Sequence, residues 1–377
     1  MAGFRVAHRA GSTWQDLVAA ALQELGPRRP DENIGFLYAT DYLAPHLGEI
    51  LASLRRATGI ADWIGTTGIG VGARGEAGAA VEYYDQPAIA LMLGALPEGS
   101  FRVFEPVHGG LGPFRNANGA WLARAQPLVG IVHGDPRNPL TPEIVSELAE
   151  ATGSFLVGGL TSSRAGGFPQ IADGVVEGGV SGAFFASGVG VATGLSQGCS
   201  PIGPAHEITE AEDNIVKSLD GKPAFAVLSA EIGELLTRQI ERIAGYIHVA
   251  LPIEGSDIAD YLVRNLVGID RAKGWLAIGE LVEPGRRLMF VRRDRDAAER
   301  DLKRMLESVT RRAGTSIKGG VYFACVARGA NLFGANSEEL ALVADALGSA
   351  PLVSFLANGE ICRDRLYGYT GVLTLFT

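Results

Sequence analysis

The stretch that decides the fold reads IGFLYATD at residues 34–41, EILASLRRATG at 49–59, WIGTTG at 63–68 and YYDQPAIALML at 83–93. The first, third and last segments have the β-branched and aromatic residues that are typical of strands. The second segment places Leu51 and Leu54 three residues apart, on one face of a helix. The stretch therefore predicts the order strand, helix, strand and further strand.

The same order occurs twice more, from LVGIVHGD at 128–135 and from GGVYFACVARG at 319–329. The three helical segments align without gaps, and their equivalent apolar positions are Leu51, Val145 and Leu340, followed by Leu54, Leu148 and Val343. Each helical segment ends in a glycine, the residue that adopts the left-handed conformation after a helix at low cost: Gly59, Gly153 and Gly348. We therefore predict three internal repeats.

Strands in these repeats lead into hairpins as often as into helices, which favours mixed sheets over purely parallel ones. We predict an α/β (α+β) protein with two mixed sheets and helices packed on their outer faces. Composition suggests chain seams near Ser196–Pro204 and Lys217–Pro223, and we divide the chain into regions 1–215 and 216–377. The Gly- and Asn-rich segment Gly109–Ala120 is predicted to be a surface loop.

The charge balance argues against several classes of partner. The chain has 377 residues with 33 Lys and Arg against 42 Asp and Glu, so it lacks the basic surface that nucleic acid requires. Three scattered cysteines and an N-terminus without an apolar core favour a cytoplasmic protein rather than a disulfide-linked secreted one. The uncharged stretch between Glu177 and Glu207 aligns with strands of the other repeats, so we do not expect a membrane span there.

Catalytic and cofactor motifs are missing from the sequence. GVGARG at 70–75 matches a dinucleotide fingerprint, but strand-like residues follow it where a helix would have to begin, so a glycine-rich hairpin loop is the better interpretation. No phosphate-binding loop or nucleophile elbow occurs. The six histidines form no close pair, so we expect no metal site, although a single imidazole suffices as an axial haem ligand. Cys362, beside Arg363, is a candidate reactive thiol.

Small and polar residues mark the ends of the predicted strands, where open α/β sheets usually bind ligands. Two segments nearer the C-terminus add arginine and asparagine donors suited to a carboxylate. The candidate ligand-binding residues are Thr66, Thr67, Thr161, Ser162, Arg264, Asn265, Arg328, Asn331, Asn358 and Glu360.

These segments also carry a family resemblance. WIGTTGIGV and YYDQPAIALMLG resemble the N-terminal FIST (F-box and intracellular signal transduction) region. DYLVRNLVGID, KGWLAIGE, ARGANLFG, SEELALVADALG, LVSFLANGEI and LYGYTGVLTLF resemble the C-terminal FIST region. The resemblance covers the chain from about Asn33 to its C-terminus.

The resemblance implies a bacterial sensory domain that binds small ligands such as amino acids. Because no output domain fits beside the matched segments, we expect a separate signalling partner, such as a kinase, or a change in homo-oligomerisation. Three alternatives remain open at this point. Some FIST relatives are haem-binding nitric oxide sensors, eukaryotic relatives suggest a protein-binding scaffold, and Cys362 or Glu360 would be the working residue of an enzyme.

Overall fold

The computed structural model describes residues 3–75, 78–233, 245–253 and 260–377. The chain divides into two compact units, and the boundary falls beside the predicted seam at Ser196–Pro204. The first unit contains Met1–Ser196 and Leu302–Thr377, and the second contains Gln197–Asp301.

Three repeats of one strand and helix order build the first unit. The first repeat contains β1 (Arg5–Ala10), α1 (Trp14–Leu25), β2 (Ile34–Thr40), the 3-10 helix Asp41–His46, α2 (Leu47–Thr58), β3 (Asp62–Gly68), β4 (Gly70–Arg74), β5 (Val81–Tyr84) and β6 (Ala88–Gly94). The second contains β7 (Phe101–Val107), α3 (Gly112–Ala125), β8 (Val129–Gly134), α4 (Thr141–Thr152), β9 (Phe155–Leu160), β10 (Gln170–Ala172), β11 (Gly174–Val176) and β12 (Val180–Phe185).

The third repeat begins with β13 (Val191–Gln197), after which the chain enters the second unit. The second unit contains β14 (Cys199–Pro201), β15 (His206–Glu212), β16 (Ile215–Leu219), β17 (Lys222–Pro223), α5 (Ala224–Ile232), β18 (Ile247–Pro252), β19 (Tyr261–Asp270), β20 (Trp275–Ile278) and β21 (Arg287–Arg293). The third repeat then continues with α6 (Arg295–Ala313), β22 (Gly319–Cys325), the 3-10 helix Gly329–Asn331, α7 (Glu338–Ala346), β23 (Leu352–Ala357), β24 (Glu360–Arg363), β25 (Arg365–Tyr367) and β26 (Thr370–Phe376).

The three repeats form three six-stranded sheets of the same topology. Their strand orders are β1-β6-β2-β3-β10-β11, β7-β12-β8-β9-β24-β25 and β13-β26-β22-β23-β4-β5. In each sheet the central pair is parallel, namely β2 with β3, β8 with β9 and β22 with β23. The remaining pairings between the central strands and their neighbours are antiparallel, so the sheets are mixed as predicted.

The repeats exchange hairpins in a cycle. The hairpin β4–β5 of the first repeat pairs with β23 of the third, and β24–β25 of the third pairs with β9 of the second. The hairpin β10–β11 of the second repeat pairs with β3 of the first. Every sheet is therefore completed by strands from another repeat, which ties the three sheets into one unit.

In the second unit, strands form a closed antiparallel sheet. The ring runs β15-β16-β20-β19-β18-β21 and returns to β15, while β14 and β17 pair at its margin. Its interior is apolar, with Ile208, Val249 and Phe290 fully buried, and α5 contributes Leu228 to the same core. Burial of such side chains from water is the main favourable contribution to the stability of this unit.

The repeated helices form for the reasons that the sequence indicates. Leu51 and Leu54 of α2 are buried in a core that also contains Leu37 and Trp63. The glycines that follow the repeated helices adopt positive φ angles, 68° at Gly59, 64° at Gly153 and 62° at Gly348. These are left-handed conformations that glycine reaches at low cost.

Three expectations from the sequence were wrong. Gly109–Ala120 is not a loop, because α3 begins at Gly112 and buries Phe114, Asn118 and Trp121, which lie on one helical face. The residues that the structure describes form three mixed sheets and one closed antiparallel sheet instead of two mixed sheets. The segment GVGARG is not a hairpin loop, since most of it is strand β4.

Within the described ranges, no helix combines the length and the apolar character needed to cross a membrane. The uncharged stretch before Glu207 forms β12, β13 and β14.

Candidate functional site

The three sheets meet at three equivalent residues. Tyr38, His133 and Phe323 are each the fifth residue of the first central strand of their repeat, β2, β8 and β22. Their ring centroids are 5.6 Å (Tyr38–His133), 6.4 Å (Tyr38–Phe323) and 6.2 Å (His133–Phe323) apart, which is close to an equilateral triangle. Phe355 of β23 stacks on Tyr38 with the centroids 5.1 Å apart. The centre of the unit is therefore a packed aromatic cluster.

His133 is the polar member of this cluster. Its Nε2 lies 3.2 Å from the Tyr38 hydroxyl, and its Nδ1 has no hydrogen-bonding partner in the described part of the chain. Burial lowers the pKa of His133 to about 3, so the imidazole is neutral at physiological pH. His133 was not among the predicted site residues, because the aligned segments IGFLYATD and LVGIVHGD place Tyr38 opposite Val132, and its equivalence to Tyr38 is seen only in the strands of the structure.

Polar residues at the ends of the second central strands lie close together. The Thr66 Oγ1 atom at the end of β3 lies 2.6 Å from the Thr161 Oγ1 atom after β9. The Ser162 hydroxyl donates to the carbonyl of Leu356 in β23 and accepts from the Ile69 amide at 2.9 Å. These hydroxyls thus connect strand ends from all three repeats.

Thr67 lies beside this group, and its hydroxyl oxygen is buried without a hydrogen-bonding partner among the residues described. Thr66, Thr67 and Thr161 are fully buried, and Ser162 is 3% exposed. Buried hydroxyls are usually satisfied, so the Thr67 hydroxyl marks a place where a water molecule or a ligand atom would be favourable.

Two predicted residues follow β23. Asn358 is exposed and its backbone amide donates to the carbonyl of Leu160 at 2.9 Å. Glu360 is fully buried, and its Oε2 accepts from the Thr370 hydroxyl at 2.6 Å and the Thr370 amide at 3.1 Å. Burial raises the pKa of Glu360 to about 8, against the opposing effect of the Thr370 hydrogen bonds. The carboxyl is therefore largely protonated at neutral pH.

Arg328 is buried in an internal ion pair. Its Nη2 lies 2.6 Å and its Nε 2.7 Å from Oε1 of Glu339 in α7, and both side chains are 1% exposed. The guanidinium carbon lies 5.1 Å from the ring centroid of Phe333. Asn331 is exposed and donates from Nδ2 to the carbonyl of Val326 at 2.8 Å. Arg328 therefore already has a carboxylate partner within the chain.

The last two predicted residues, Arg264 and Asn265, belong to the second unit. Arg264 is partly buried, and its Nε lies 2.7 Å from Oε2 of Glu280. Asn265 is exposed, and its carbonyl accepts from the Gly279 amide at 2.9 Å. The remaining eight predicted residues lie in the first unit.

Two clefts of the first unit lie away from the predicted residues. One, of about 580 Å³, runs along the edge strand β7 and is lined by Arg102, Glu105 and His108. The other, of about 670 Å³, lies where β8 and β9 begin and is lined by Leu128 and Arg363. None of the ten predicted residues lines either cleft.

Two histidines do not suit axial haem ligation. His133 is surrounded by the rings of Tyr38, Phe323 and Phe355, which leave no room for a porphyrin at its Nδ1. His206 engages both ring nitrogens, with Asp220 and Glu231, each at 2.6 Å. Among the described residues, no group of three or more His, Cys, Asp or Glu is arranged to hold a metal ion. Cys362 is 5% exposed, so its thiol has little access to solvent.

Sequence analysis also missed a polar cluster around the Arg328–Glu339 pair. Glu82 and Tyr84 of β5 reach this pair through the exchanged hairpin. In the sequence, Tyr84 indicates only a strand, and Glu82 stands just before the quoted segment YYDQPAIALML. The hairpin exchange that brings both residues to the third repeat leaves no local signal in the sequence.

Comparison with known proteins agrees with this architecture. Residues 33–222 match the FIST N domain, and residues 224–363 match the FIST C domain. An uncharacterized protein of Mycobacterium tuberculosis strain H37Rv is 30% identical over 330 residues, which cover 82% of this chain and 83% of the relative. An uncharacterized protein of Mycobacterium bovis is 31% identical over 195 residues, which cover 48% of this chain and 49% of the relative. The chain therefore belongs to the FIST family of signal-transduction sensory domains, with FIST N and FIST C in tandem.

Proposed function

We propose that this protein senses a small polar ligand, an amino acid or a small carboxylate, in the bacterial cytoplasm. The proposed ligand-binding residues form two separate sets: Thr66, Thr67, Thr161, Ser162, Arg328, Asn331, Asn358 and Glu360 in the first unit, and Arg264 and Asn265 in the second. The signal passes to a separate partner, such as a kinase, or to the protein's own oligomeric state. Family membership supports the sensory role, and the ligand class rests on the site chemistry.

The observation that carries the proposal is the convergence of strand ends from three repeats. The Thr66 and Thr161 hydroxyls are hydrogen-bonded to each other, and the neighbouring Ser162 hydroxyl bonds to the backbone of the first and third repeats. Thr67 adds a buried hydroxyl that lacks a partner among the described residues. Hydroxyl and backbone groups at the carboxyl ends of strands are common ligands of small polar molecules. Exposed Asn358 gives this group a polar side chain on the surface.

Each predicted arginine already has a carboxylate partner within the chain, so a ligand carboxylate has to displace that partner. The Arg264–Glu280 pair is partly exposed to solvent, and such a pair contributes about 1 kcal/mol or less, so a ligand could replace Glu280 at low cost. The Arg328–Glu339 pair is fully buried, and removing either partner would leave an uncompensated charge. We therefore assign a positioning role to Arg328 in the first unit. In the second unit, taken by itself, Arg264 is the candidate for direct carboxylate binding.

A thermal-shift screen of the full chain against the twenty amino acids, small dicarboxylates, nucleotides and haemin tests the proposal. A ligand present at about a hundred times its Kd should raise the free energy of unfolding by about 2.7 kcal/mol. We expect one amino acid or carboxylate to raise the melting temperature by several degrees. No shift with any amino acid or carboxylate, combined with a shift by haemin alone, would overturn the ligand class.

Substitutions of proposed site residues test whether a ligand-induced rise in melting temperature comes from binding at those residues. Asn358→Ala and Asn331→Ala should weaken the ligand-induced shift, because each removes an exposed polar group from the proposed site of the first unit. Asn116→Ala on the exposed face of α3 is the matched control and should leave the shift unchanged. If all three variants showed the same ligand-induced rise in melting temperature as wild type, the ligand would bind elsewhere.

A further inference from the structure

The exchanged hairpin β4–β5 carries two side chains into a buried polar cluster of the third repeat. The Tyr84 hydroxyl accepts from the Ala330 amide at 3.3 Å. The Glu82 amide donates to the hydroxyl of Ser337, the residue before α7, at 2.8 Å. The hairpin is therefore fastened both to the segment 328–331 and to the beginning of α7.

Glycine at position 329 makes this contact possible. Its φ is 49°, and a Cβ atom there would lie 2.6 Å from the Tyr84 hydroxyl. The Gly329 amide donates to Oε2 of Glu339 at 2.8 Å. The backbone of this segment is thus held between Tyr84 on one side and Glu339 on the other.

The cluster contains two carboxyl groups and one buried cation. Glu339 accepts from Arg328, from the Gly329 amide and from the Tyr322 hydroxyl, the last at 2.6 Å, so its oxygens are fully engaged. Glu82 is less well satisfied: it accepts a hydrogen bond from the Tyr84 hydroxyl, but its Oε2 is buried without a hydrogen bond to any described residue. The two carboxyl groups meet at Gly329, because its amide donates to Glu339 and a Cβ atom there would lie 3.6 Å from Oε1 of Glu82.

We propose that Glu82 and Glu339 form a proton-sensitive latch that fastens the exchanged β4–β5 hairpin to residues 328–331. A protonated Glu82 adds no second negative charge beside Glu339, and the latch is closed. Loss of that proton places like charges together in a poorly solvated site, which is unfavourable. The hairpin then loosens, and the segment that carries Arg328 and Asn331 loses its support.

The charged and titratable groups around Glu82 are consistent with this behaviour. They are Glu339 of α7 and Tyr84 of β5. Burial and then the charge of Glu339 raise the pKa of Glu82 to about 7, while the hydrogen bond from Tyr84 opposes them. The closed hairpin therefore loses stability as pH rises from the ordinary carboxyl value of 4.5 to about 7. It does not depend on which ligand the protein senses.

Hydrogen exchange of the full-length protein tests the latch, with wild type and Glu82→Gln compared at the same pH so that intrinsic exchange chemistry cancels. The neutral amide of Glu82→Gln mimics the protonated carboxyl. At pH 8 we expect the β5 amides to exchange about tenfold faster in wild type than in Glu82→Gln. At pH 4.5, the ordinary pKa of the carboxyl, the two proteins should exchange at nearly equal rates, and the ratio of their rates should grow as pH rises to about 7. Equal rates at pH 8 would overturn the proposal.

Two further variants separate the latch from a general effect on stability. Glu105→Gln, on the exposed face of the edge strand β7, should exchange like wild type at both pH values. Tyr84→Phe removes the hydrogen bond that lowers the pKa of Glu82, so the pH at which β5 exchange accelerates should rise. An unchanged transition in Tyr84→Phe, or a transition also altered in Glu105→Gln, would contradict the assignment.

Discussion

Tyr38 and His133 occupy the same position in two consecutive repeats, and they are joined by a hydrogen bond of 3.2 Å at the centre of the first unit. The third equivalent residue is Phe323, which has no polar atom to add. The three central rings therefore consist of one hydrogen-bonded polar pair, Tyr38 and His133, and one apolar ring, Phe323. The pair satisfies the Tyr38 hydroxyl but leaves Nδ1 of His133 without a partner among the residues described.

This relationship predicts strong coupling between Tyr38 and His133. His133→Phe leaves the buried Tyr38 hydroxyl unpaired, and Tyr38→Phe leaves both His133 nitrogens unpaired, so each should cost about 1–3 kcal/mol. The double variant Tyr38→Phe/His133→Phe removes both polar groups and should recover most of that loss. A double-mutant cycle measured by urea denaturation gives the coupling. Additive losses in the double variant would show that the hydrogen bond contributes nothing.

The raised pKa of Glu360 predicts that the free energy of unfolding depends on pH. Its pKa in the folded protein is about 8, above the ordinary value of 4.5. The folded state therefore holds a proton that the unfolded state has lost, and stability falls as pH rises from about 4.5 to about 8. Glu360→Gln carries no titrating group, so its advantage over wild type should grow by about 1.4 kcal/mol per pH unit in this window.

Thermal melts at pH 5, 6, 7 and 8 measure that advantage. Glu98→Gln, at an exposed position, is the control and should track wild type throughout. A constant difference between Glu360→Gln and wild type at all four pH values would mean that Glu360 is ionised in the folded protein.

In the second unit, the raised pKa of His206 also predicts a stability that falls as pH rises. Burial alone would lower its pKa, but hydrogen bonds to Glu231 and Asp220 outweigh burial and raise it above 6.5. The stabilising contribution is fully present below pH 6.5 and is lost as pH rises through the higher pKa of the folded state. His206→Gln should therefore destabilise the second unit at pH 6 and have a smaller effect at pH 9. Urea denaturation followed by Trp275 fluorescence would measure this, and a pH-independent loss would contradict the ionic role.

Much of this architecture was predictable because the repeats preserve local signals. The helical faces around Leu51, Val145 and Leu340 and the glycines that follow them are local features, and the structure contains all of them. The hairpin exchange was not predictable, because pairing of β4 with β23 depends on contacts between residues about 280 positions apart, which leave no periodic pattern. The α3 helix was missed since Gly112 and Asn118 favour turns, and tertiary burial of Trp121 overrides that preference.

For the candidate site, too, some features could be predicted from the sequence and others could not. The small and polar residues at the strand ends, such as Thr66 and Thr161, are visible in the sequence, but their contact joins strands of two different sheets and depends on how those sheets pack. The carboxylate partners of Arg264 and Arg328 did not follow, because charged residues give no sequence signal of which partner they bind. Glu280 lies on the chain after β20, and Glu339 lies in a helix that had been read only for its apolar face.

The equivalent glycines Gly65 and Gly158 give the most direct test of the repeat architecture. Each is the fourth residue of the second central strand, with φ of 153° and 149°, and a Cβ atom would lie 1.8 Å from the carbonyl oxygen of Leu37 or Val132. Since this oxygen belongs to the paired strand, relief would require separating the parallel pair. Gly65→Ala and Gly158→Ala should each cost about 4 kcal/mol or more. Gly153→Ala, at a left-handed position with open space around it, should cost only about 1 kcal/mol. Urea denaturation of the three variants compares these costs, and a loss at Gly65 no larger than that at Gly153 would contradict the close strand approach that we describe.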